Sequence, residues 1–284
     1  KCFRGIFTNQ GRSVPRVLEQ MSIVLDHKSI LGGSSPHVLI ILNTIDDTSL
    51  PFLKQLWQSS SLIIAADGAA TRMQRLFGAN DELNRYIPHF ICGDLDSISP
   101  ATVELYRSKG CKILKISSQD HTDLYKCICV AAWHNIGCTD PEQVMLIDNI
   151  ELPLDLIAFG AFSGRFDHVM NAINALYVFR SRFRSMSLVS NDNFACLLRS
   201  GTNIIRCHES LQGPTCGLIP IGIAADCVST TGLRWNLESQ RTLFSGLIST
   251  SNLIECDTIT VETSHDIVWI TAIRFPAPNV RIVN

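Results

Sequence analysis

Five places along this chain put aspartate just after a short apolar run. Asp67 follows 62–66, Asp94 and Asp96 follow 89–92, and Asp120 and Asp123 follow 112–116. Asp167 comes after 155–159 and a glycine-containing loop, and Asp192 after 187–190. One aspartate alone in such a place reads as a helix cap or turn residue. Five gathered at one edge would repel one another unless they share a cation. Hard carboxylate oxygens suit Mg2+, which binds through a few carboxylates together with substrate phosphates. The pattern therefore predicts a magnesium–polyphosphate site. Arg165, Lys126 and Arg72 are the basic candidates beside it, and Gly68 and Gly164 leave room for backbone amides to approach a phosphate. Lys126 read alone is equally a solvated charge on a helix face. The chain has no G-x-x-x-x-G-K-[ST] loop and no G-x-G-x-x-G turn, so neither a P-loop nor a standard dinucleotide site is supported.

The elements that must position these carboxylates alternate regularly. Short β-forming runs at 38–42, 62–66, 89–92, 112–116, 155–159 and 187–190 read as buried strands. Between them lie helices opened by Ser49-Leu50-Pro51, by 69–78, by Ser99-Pro100, by 120–135 with Gly137 after it, and by 166–179. Such alternation predicts an open parallel α/β sheet with helices on both faces, where ligands bind beyond the carboxyl ends of the strands. After about residue 200 the segments 203–207, 216–221, 225–229 and 267–273 are short, rich in β-formers and separated by Gly, Pro, Ser and Asn. That predicts a small all-β sandwich. The expected divisions are an extension and linker over 1–36, ending in Gly32-Gly33-Ser34-Ser35-Pro36, an α/β domain over 37–200 and a β domain over 201–284.

Composition excludes other classes. With 284 residues, 46% hydrophobic and 18% charged, the chain is not intrinsically disordered. A net charge of -2 carries no signature of a nucleic-acid or membrane-surface binder, and no apolar run approaches the length of a membrane-spanning helix. The 11 cysteines are odd in number and scattered, several inside apolar runs, which favours free thiols and a reducing, cytoplasmic setting over a disulfide framework. Cys127-Ile128-Cys129 has the wrong spacing for zinc, and no Cys/His quartet follows it.

Ala66-Asp67-Gly68-Ala69, Gly93-Asp94-Leu95-Asp96-Ser97, Gln119-Asp120-His121-Thr122-Asp123-Leu124 and Gly164-Arg165-Phe166-Asp167-His168 occur in the order and context of one family. The C-terminal half adds 216–220, 229–237 and Ser249-Thr250-Ser251-Asn252. Over roughly 37–275 the chain resembles thiamine pyrophosphokinase. The resemblance implies a Rossmann-like α/β domain followed by a β-sandwich, paired as a homodimer with each site between the α/β domain of one subunit and the β domain of the other. It implies transfer of the terminal diphosphate of ATP to the hydroxyethyl oxygen of thiamine, giving thiamine diphosphate and AMP, with Mg2+ as cofactor. On the matching positions Asp94, Asp96, Asp120 and Asp167 are the catalytic carboxylates, the first three holding metal. Asp67, Gly68, Thr122, Asp123, Lys126, Arg165, Asn191 and Asp192 fall on the ATP side, and Gln119, Ser229, Trp235 and Ser249 on the thiamine side. Leu124 stands where the family often has Phe, and the stretch 138–155 diverges.

This chemistry agrees with the residues themselves. Diphosphoryl transfer asks for positioning and charge neutralisation, and a carboxylate, Asp120 or Asp96, is placed to take the hydroxyl proton. A cationic thiamine suits the face of Trp235, which would otherwise be a core or interface tryptophan. The rival readings are a metal-dependent phosphohydrolase or nucleotide-sugar transferase using Asp94 and Asp96 as a D-x-D pair, and a thiamine or nucleotide sensor without turnover.

Overall fold

Six parallel strands form one side of a ten-stranded sheet, running to its edge. A computed structural model describes residues 23–32, 35–79, 82–137 and 151–274. The rest of the expected extension and linker, 1–22 and 33–34, and most of the divergent stretch, 138–150, lie outside them. In chain order the first elements are β1 (Ile23–Asp26), α1 (His27–Leu31), β2 (His37–Ile41), α2 (Leu50–Ser59), β3 (Ser60–Ala66), α3 (Asp67–Gly78) and β4 (Phe90–Gly93). Next come α4 (Pro100–Ser108), β5 (Lys112–Lys115), α5 (Asp123–Ile136), β6 (Leu152–Phe159), α6 (Phe166–Val178) and β7 (Phe183–Val189). The remainder is all β: β8 (Asn193–Leu198), β9 (Gly201–Arg206), β10 (Gln212–Ile219), β11 (Ala225–Thr231), β12 (Gln240–Thr242), β13 (Ser249–Leu253), β14 (Thr258–Thr263) and β15 (Ile267–Ile273).

Local signals explain where the helices begin. Ser99 accepts a hydrogen bond from the Thr102 N–H at 3.1 Å and Pro100 opens α4, because its missing N–H is one a first turn does not need. Asp46 and Ser49 cap each other ahead of α2. Gly137 ends α5 with a φ of 65°, a conformation costly for any residue with a Cβ. β2 is buried along its whole length and β3 at its last five residues, as strands covered on both faces must be.

The large sheet has the order β13-β10-β15-β8-β7-β6-β2-β3-β4-β5. From β7 to β5 all neighbours pair in parallel; from β7 to β13 they pair antiparallel. The chain builds outward from β2 to β5, then returns to lay β6 on the other side of β2. The loops after β2 and β6 therefore diverge at a topological switch point, where such sheets open a crevice. The second sheet, β1-β9-β14-β11-β12, belongs to the β domain. Its inward residues Ile205, Val228, Ile259 and Val261 join one continuous core with Phe194, Leu218 and Trp269 of the large sheet. The open parallel sheet and the second, all-β unit are those expected.

Two features differ from expectation. Residues 23–31, placed in a loose extension, form β1 and α1: β1 pairs in parallel with β9 from Ile23↔Asn203 to Asp26↔Arg206. A four-residue strand is too short to show a period, and its partner lies far along the chain. Secondly, β10, β13 and β15 from beyond residue 200 extend the same sheet as β2–β8, so its hydrogen bonding crosses the division expected at 200/201. Sequence alternation reports which face a strand buries, not which neighbour it pairs with.

Candidate functional site

Asp67 is the first residue of α3, and its carboxyl is packed between β3 and β4. Its side chain is 1% exposed; Oδ1 accepts from the Gly68 N–H at 2.6 Å, while Oδ2 is buried with no hydrogen-bond partner. The space exists because residue 93 is glycine: a Cβ there would stand 2.7 Å from the Asp67 Cγ. Just beyond, Leu95 takes a φ of 67°, a left-handed conformation uncommon for leucine. That bend folds Asp94 and Asp96 back over the strand end, and one oxygen from each of Asp67, Asp94 and Asp96 lies within 4.8 Å of the others.

Lys126, from the second turn of α5, is 2% exposed and sits among these groups, 3.7 Å from Asp94 and 3.4 Å from Asp123. The solvated-face reading of Lys126 is therefore excluded. Burial pushes the Asp67 carboxyl above its ordinary range, and the charge of Asp123 adds to the shift. Burial also raises Asp123, against the pull of Lys126. At Asp94 partial burial acts upward, but the Asp96 backbone N–H, the Gln119 side chain and Lys126 outweigh it and hold the carboxyl low. Gln119 Nε2 donates to Asp94 at 3.2 Å. One buried cation faces four carboxylates here, and Asp67 Oδ2 lacks any donor. An all-oxygen group with a buried, unpartnered carboxylate oxygen fits a hard divalent cation such as Mg2+.

The other expected residues are placed differently. Asp120 is exposed and stands outside the group of converging oxygens; Asp67 takes the position expected of it. An aspartate on the loop before α5 is carried past the strand end, whereas Asp67 starts its helix at the strand end. Asp167 is also exposed and accepts two hydrogen bonds from Arg165, at 3.1 and 2.5 Å, which hold its carboxyl below the usual range. Thr122 donates to Asn171 of α6 at 2.8 Å and leaves the α5 N-terminus without a side-chain cap. α3 and α6 also start without an N-cap side-chain bond; the Gly68 N–H goes to Asp67 Oδ1 and the His168 N–H to the Arg165 carbonyl, and the other first-turn N–H groups of the three helices can face an anion at this edge. Asn191, in the turn before β8, donates to Thr48 at 2.7 Å and Asp46 at 3.3 Å, tying the β7 and β2 loops together; Asp192 beside it is exposed.

In the β domain, Trp235 is 58% exposed, which excludes the core reading. Asn252 holds its backbone from both sides, accepting from the Trp235 N–H at 3.2 Å and donating to its carbonyl at 2.8 Å. The Arg234 guanidinium lies 5.8 Å from the ring centroid. Ser249 is buried beside Asn252, and Ser229 accepts from the Ser239 N–H at 3.0 Å. Among the described residues, no hydrogen bond or ion pair joins Trp235, Ser229 or Ser249 to the aspartate group.

Sequence reasoning missed Asn43, Leu95 and the role of Gly93. Asn43 lies in the loop after β2, where its side chain packs on Gly68 and accepts from Arg72 Nε at 2.8 Å. A half-open cavity of about 510 Å3 lined by Leu152, Phe179, Phe183, Met186 and Arg199 lies at the opposite ends of β6 and β7 and shares no residue with this edge.

Residues 53–189 match the family description "Thiamin pyrophosphokinase, catalytic domain", and residues 202–268 match "Thiamin pyrophosphokinase, vitamin B1 binding domain". Thiamine pyrophosphokinase 3 of Oryza sativa subsp. japonica is 37% identical over 254 residues, covering 84% of this chain and 87% of that one. Thiamine pyrophosphokinase of Saccharomyces cerevisiae is 29% identical over 269 residues, covering 81% and 83%. Among solved structures, thiamin pyrophosphokinase from Candida albicans superposes with a TM-score of 0.75 at 27% identity, covering 94% and 97% of the two chains. The yeast thiamin pyrophosphokinase structure gives 0.77 at 26% identity, covering 94% and 96%.

Proposed function

The chain belongs to the thiamin pyrophosphokinase family and its activity is the transfer of a diphosphate to thiamine; we propose that ATP is the donor and that the aspartate edge is where it reacts. The observation that carries this reading is the convergence of Asp67, Asp94 and Asp96, with Asp67 Oδ2 buried and unpartnered beside Lys126. Asp67, Asp94 and Asp96 would hold Mg2+, which would supply the positive charge that neutralises the transferring phosphates.

The chain's own groups account for the remaining requirements. Lys126, fixed between Asp94 and Asp123, offers its ammonium to a phosphoryl oxygen that enters the group. Thr122 and the first turns of α3, α5 and α6 present backbone N–H groups to the polyphosphate, while the Gly68 N–H is committed to Asp67 Oδ1. Arg165, preoriented by Asp167, adds a guanidinium from the β6 loop, and Asn191 and Asp192 border the β7 side. The thiamine oxygen bonds to the β-phosphorus, the bond from the α,β-bridging oxygen to that phosphorus breaks, and AMP leaves with the oxygen. Asp120, exposed and outside the oxygen group, takes the hydroxyl proton and can pass it to water. Trp235 receives the cationic thiamine ring on its exposed face, with Ser229, Ser249 and Gln119 as polar contacts.

The family resemblance supports a homodimer in which the partner's β domain completes the site, and Trp235, 58% exposed, is open to such a contact. Exposed Ile223, Phe244 and Leu247 in the same domain give such a contact apolar surface. No described helix is long and apolar enough to cross a membrane. The cysteines among the described residues are all free and mostly buried, which supports a reducing, cytoplasmic setting, and the net charge of -2 supports the absence of nucleic-acid and membrane-surface partners. AMP formation from ATP tests the reading: it must require both thiamine and Mg2+. ATP hydrolysis without thiamine would favour a phosphohydrolase, and binding without turnover a sensor.

A further inference from the structure

The basic side chains at the aspartate edge are not equivalent. Lys126 is compensated by Asp94 and Asp123, and Arg165 by Asp167. Arg72, on the second turn of α3, is held by neutral oxygens: Nε donates to Asn43 Oδ1 at 2.8 Å and Nη1 to the Ile45 carbonyl at 3.4 Å. No carboxylate lies within ion-pair distance of it among the described residues. A guanidinium has five N–H donors, so three remain. The tethers matter as much as the charge, because Asn43 and Ile45 belong to the loop after β2, one of the two loops that diverge at the switch point. Arg72 thus carries a full, oriented charge at the crevice where an open α/β sheet takes its ligand. The Asn43 side chain also packs on Gly68, so α3's first turn and the guanidinium are fixed together.

We propose that Arg72 is a triphosphate-binding residue of this site, donating its free N–H fork to a phosphoryl oxygen of the nucleotide, and that Asn43 is the positioning residue that aims it. This rests on the aspartate edge being the ATP site. With Nε–H and one Nη1 N–H engaged, the Nη2 and remaining Nη1 N–H groups form a fork able to grip two phosphate oxygens, which a lysine ammonium cannot reproduce.

The test is calorimetric titration of the full chain with Mg–ATP, inorganic triphosphate and thiamine separately. Arg72→Gln should weaken Mg–ATP and triphosphate about 10- to 100-fold, the usual range for a lost charge-assisted hydrogen bond. Thiamine binding should stay within about twofold of wild type. Arg72→Lys should recover little of the loss. Asn43→Asp is nearly isosteric and gives the guanidinium an acidic partner; it should raise KM for ATP and leave KM for thiamine in place. Circular dichroism and melting identify any variant that fails to fold, and Asn43→Asp and Arg72→Lys then carry the reading. Mg–ATP affinity within twofold of wild type in folded Arg72→Gln, even with a lowered melting temperature, would show that Arg72 only tethers the loop and would overturn the proposal. A wild-type protein that binds no Mg–ATP would instead overturn the site assignment itself.

Discussion

The Asp67 carboxyl lies against the Cα of Gly93, so close that a Cβ on residue 93 would come within 2.7 Å of its Cγ. This contact joins the ends of β3 and β4 and sets the first carboxylate of the group against the other two. Gly93→Ala should therefore disable the site more than the fold. We expect activity to fall by at least tenfold, with Mg2+ affinity reduced and the circular dichroism spectrum unchanged. Wild-type activity in Gly93→Ala would show that Asp67 can move without consequence.

Asp94→Asn and Asp96→Asn should each abolish Mg2+-dependent turnover while the fold survives, since each removes one anionic ligand from a three-oxygen group. Chelation of divalent metal should do the same reversibly to the wild type. Asp67→Asn should raise thermal stability without metal, because it removes a buried carboxylate oxygen that has no partner. Turnover within about tenfold of wild type in Asp94→Asn, only 1.4 kcal/mol of barrier, would move the metal elsewhere.

Trp235→Ala should weaken thiamine by roughly 5- to 30-fold, or about 1 to 2 kcal/mol, and leave Mg–ATP affinity unaltered. If the partner's β domain completes each site, mixing Trp235→Ala with Asp94→Asn subunits should restore activity. A mixed dimer then has one site with both defects and one with neither. Subunit exchange verified by mass, with no recovered activity, would place both residues in one subunit's site.

His27 gives the α1 anchor a pH dependence. It is fully buried against Phe194, its Nδ1 hydrogen-bonded to the Gln212 side chain and its Nε2 without a partner. Burial lowers its pKa from 6.5 to about 4, against the upward pull of Gln212 and Asp26. The unfolded chain therefore binds the proton more readily. Stability is fully present above about pH 6.5 and declines as pH falls from there towards 4, by on the order of 2 kcal/mol at pH 5. Urea denaturation at pH 7.5 and pH 5 should show this loss in wild type and a smaller one in His27→Gln. Equal losses in both proteins would assign the effect to other groups.

Much of this was legible in the residues. The parallel strands read as apolar runs because they are buried on both faces, and Pro100, Gly137 and Ser99 mark helix ends by their own backbone chemistry. An aspartate after a parallel strand must lie at the carboxyl edge, so Asp67, Asp94, Asp96, Asp120, Asp123, Asp167 and Asp192 were nameable from order alone as residues of that edge. Topology sets the edge, but not which side chains on it converge.

That choice belonged to the tertiary structure. Asp67 enters the group and Asp120 does not because Gly93 opens a space for the one, while the loop before α5 carries the other outward. Lys126 lies on a mostly buried helix whose sequence alone did not show which face meets the sheet, and only packing made it an interior charge. Asn43 and Arg72 are 29 residues apart and meet because β2 and β3 are neighbours in parallel. β1 is too short to carry a period, and it exists through its pairing with β9, some 180 residues later. Local sequence determined the elements and the type of chemistry at their ends, since caps, turns and burial are set by near neighbours. Distances, charge compensation and strand partners depend on residues remote in the chain, and only the folded structure decided them.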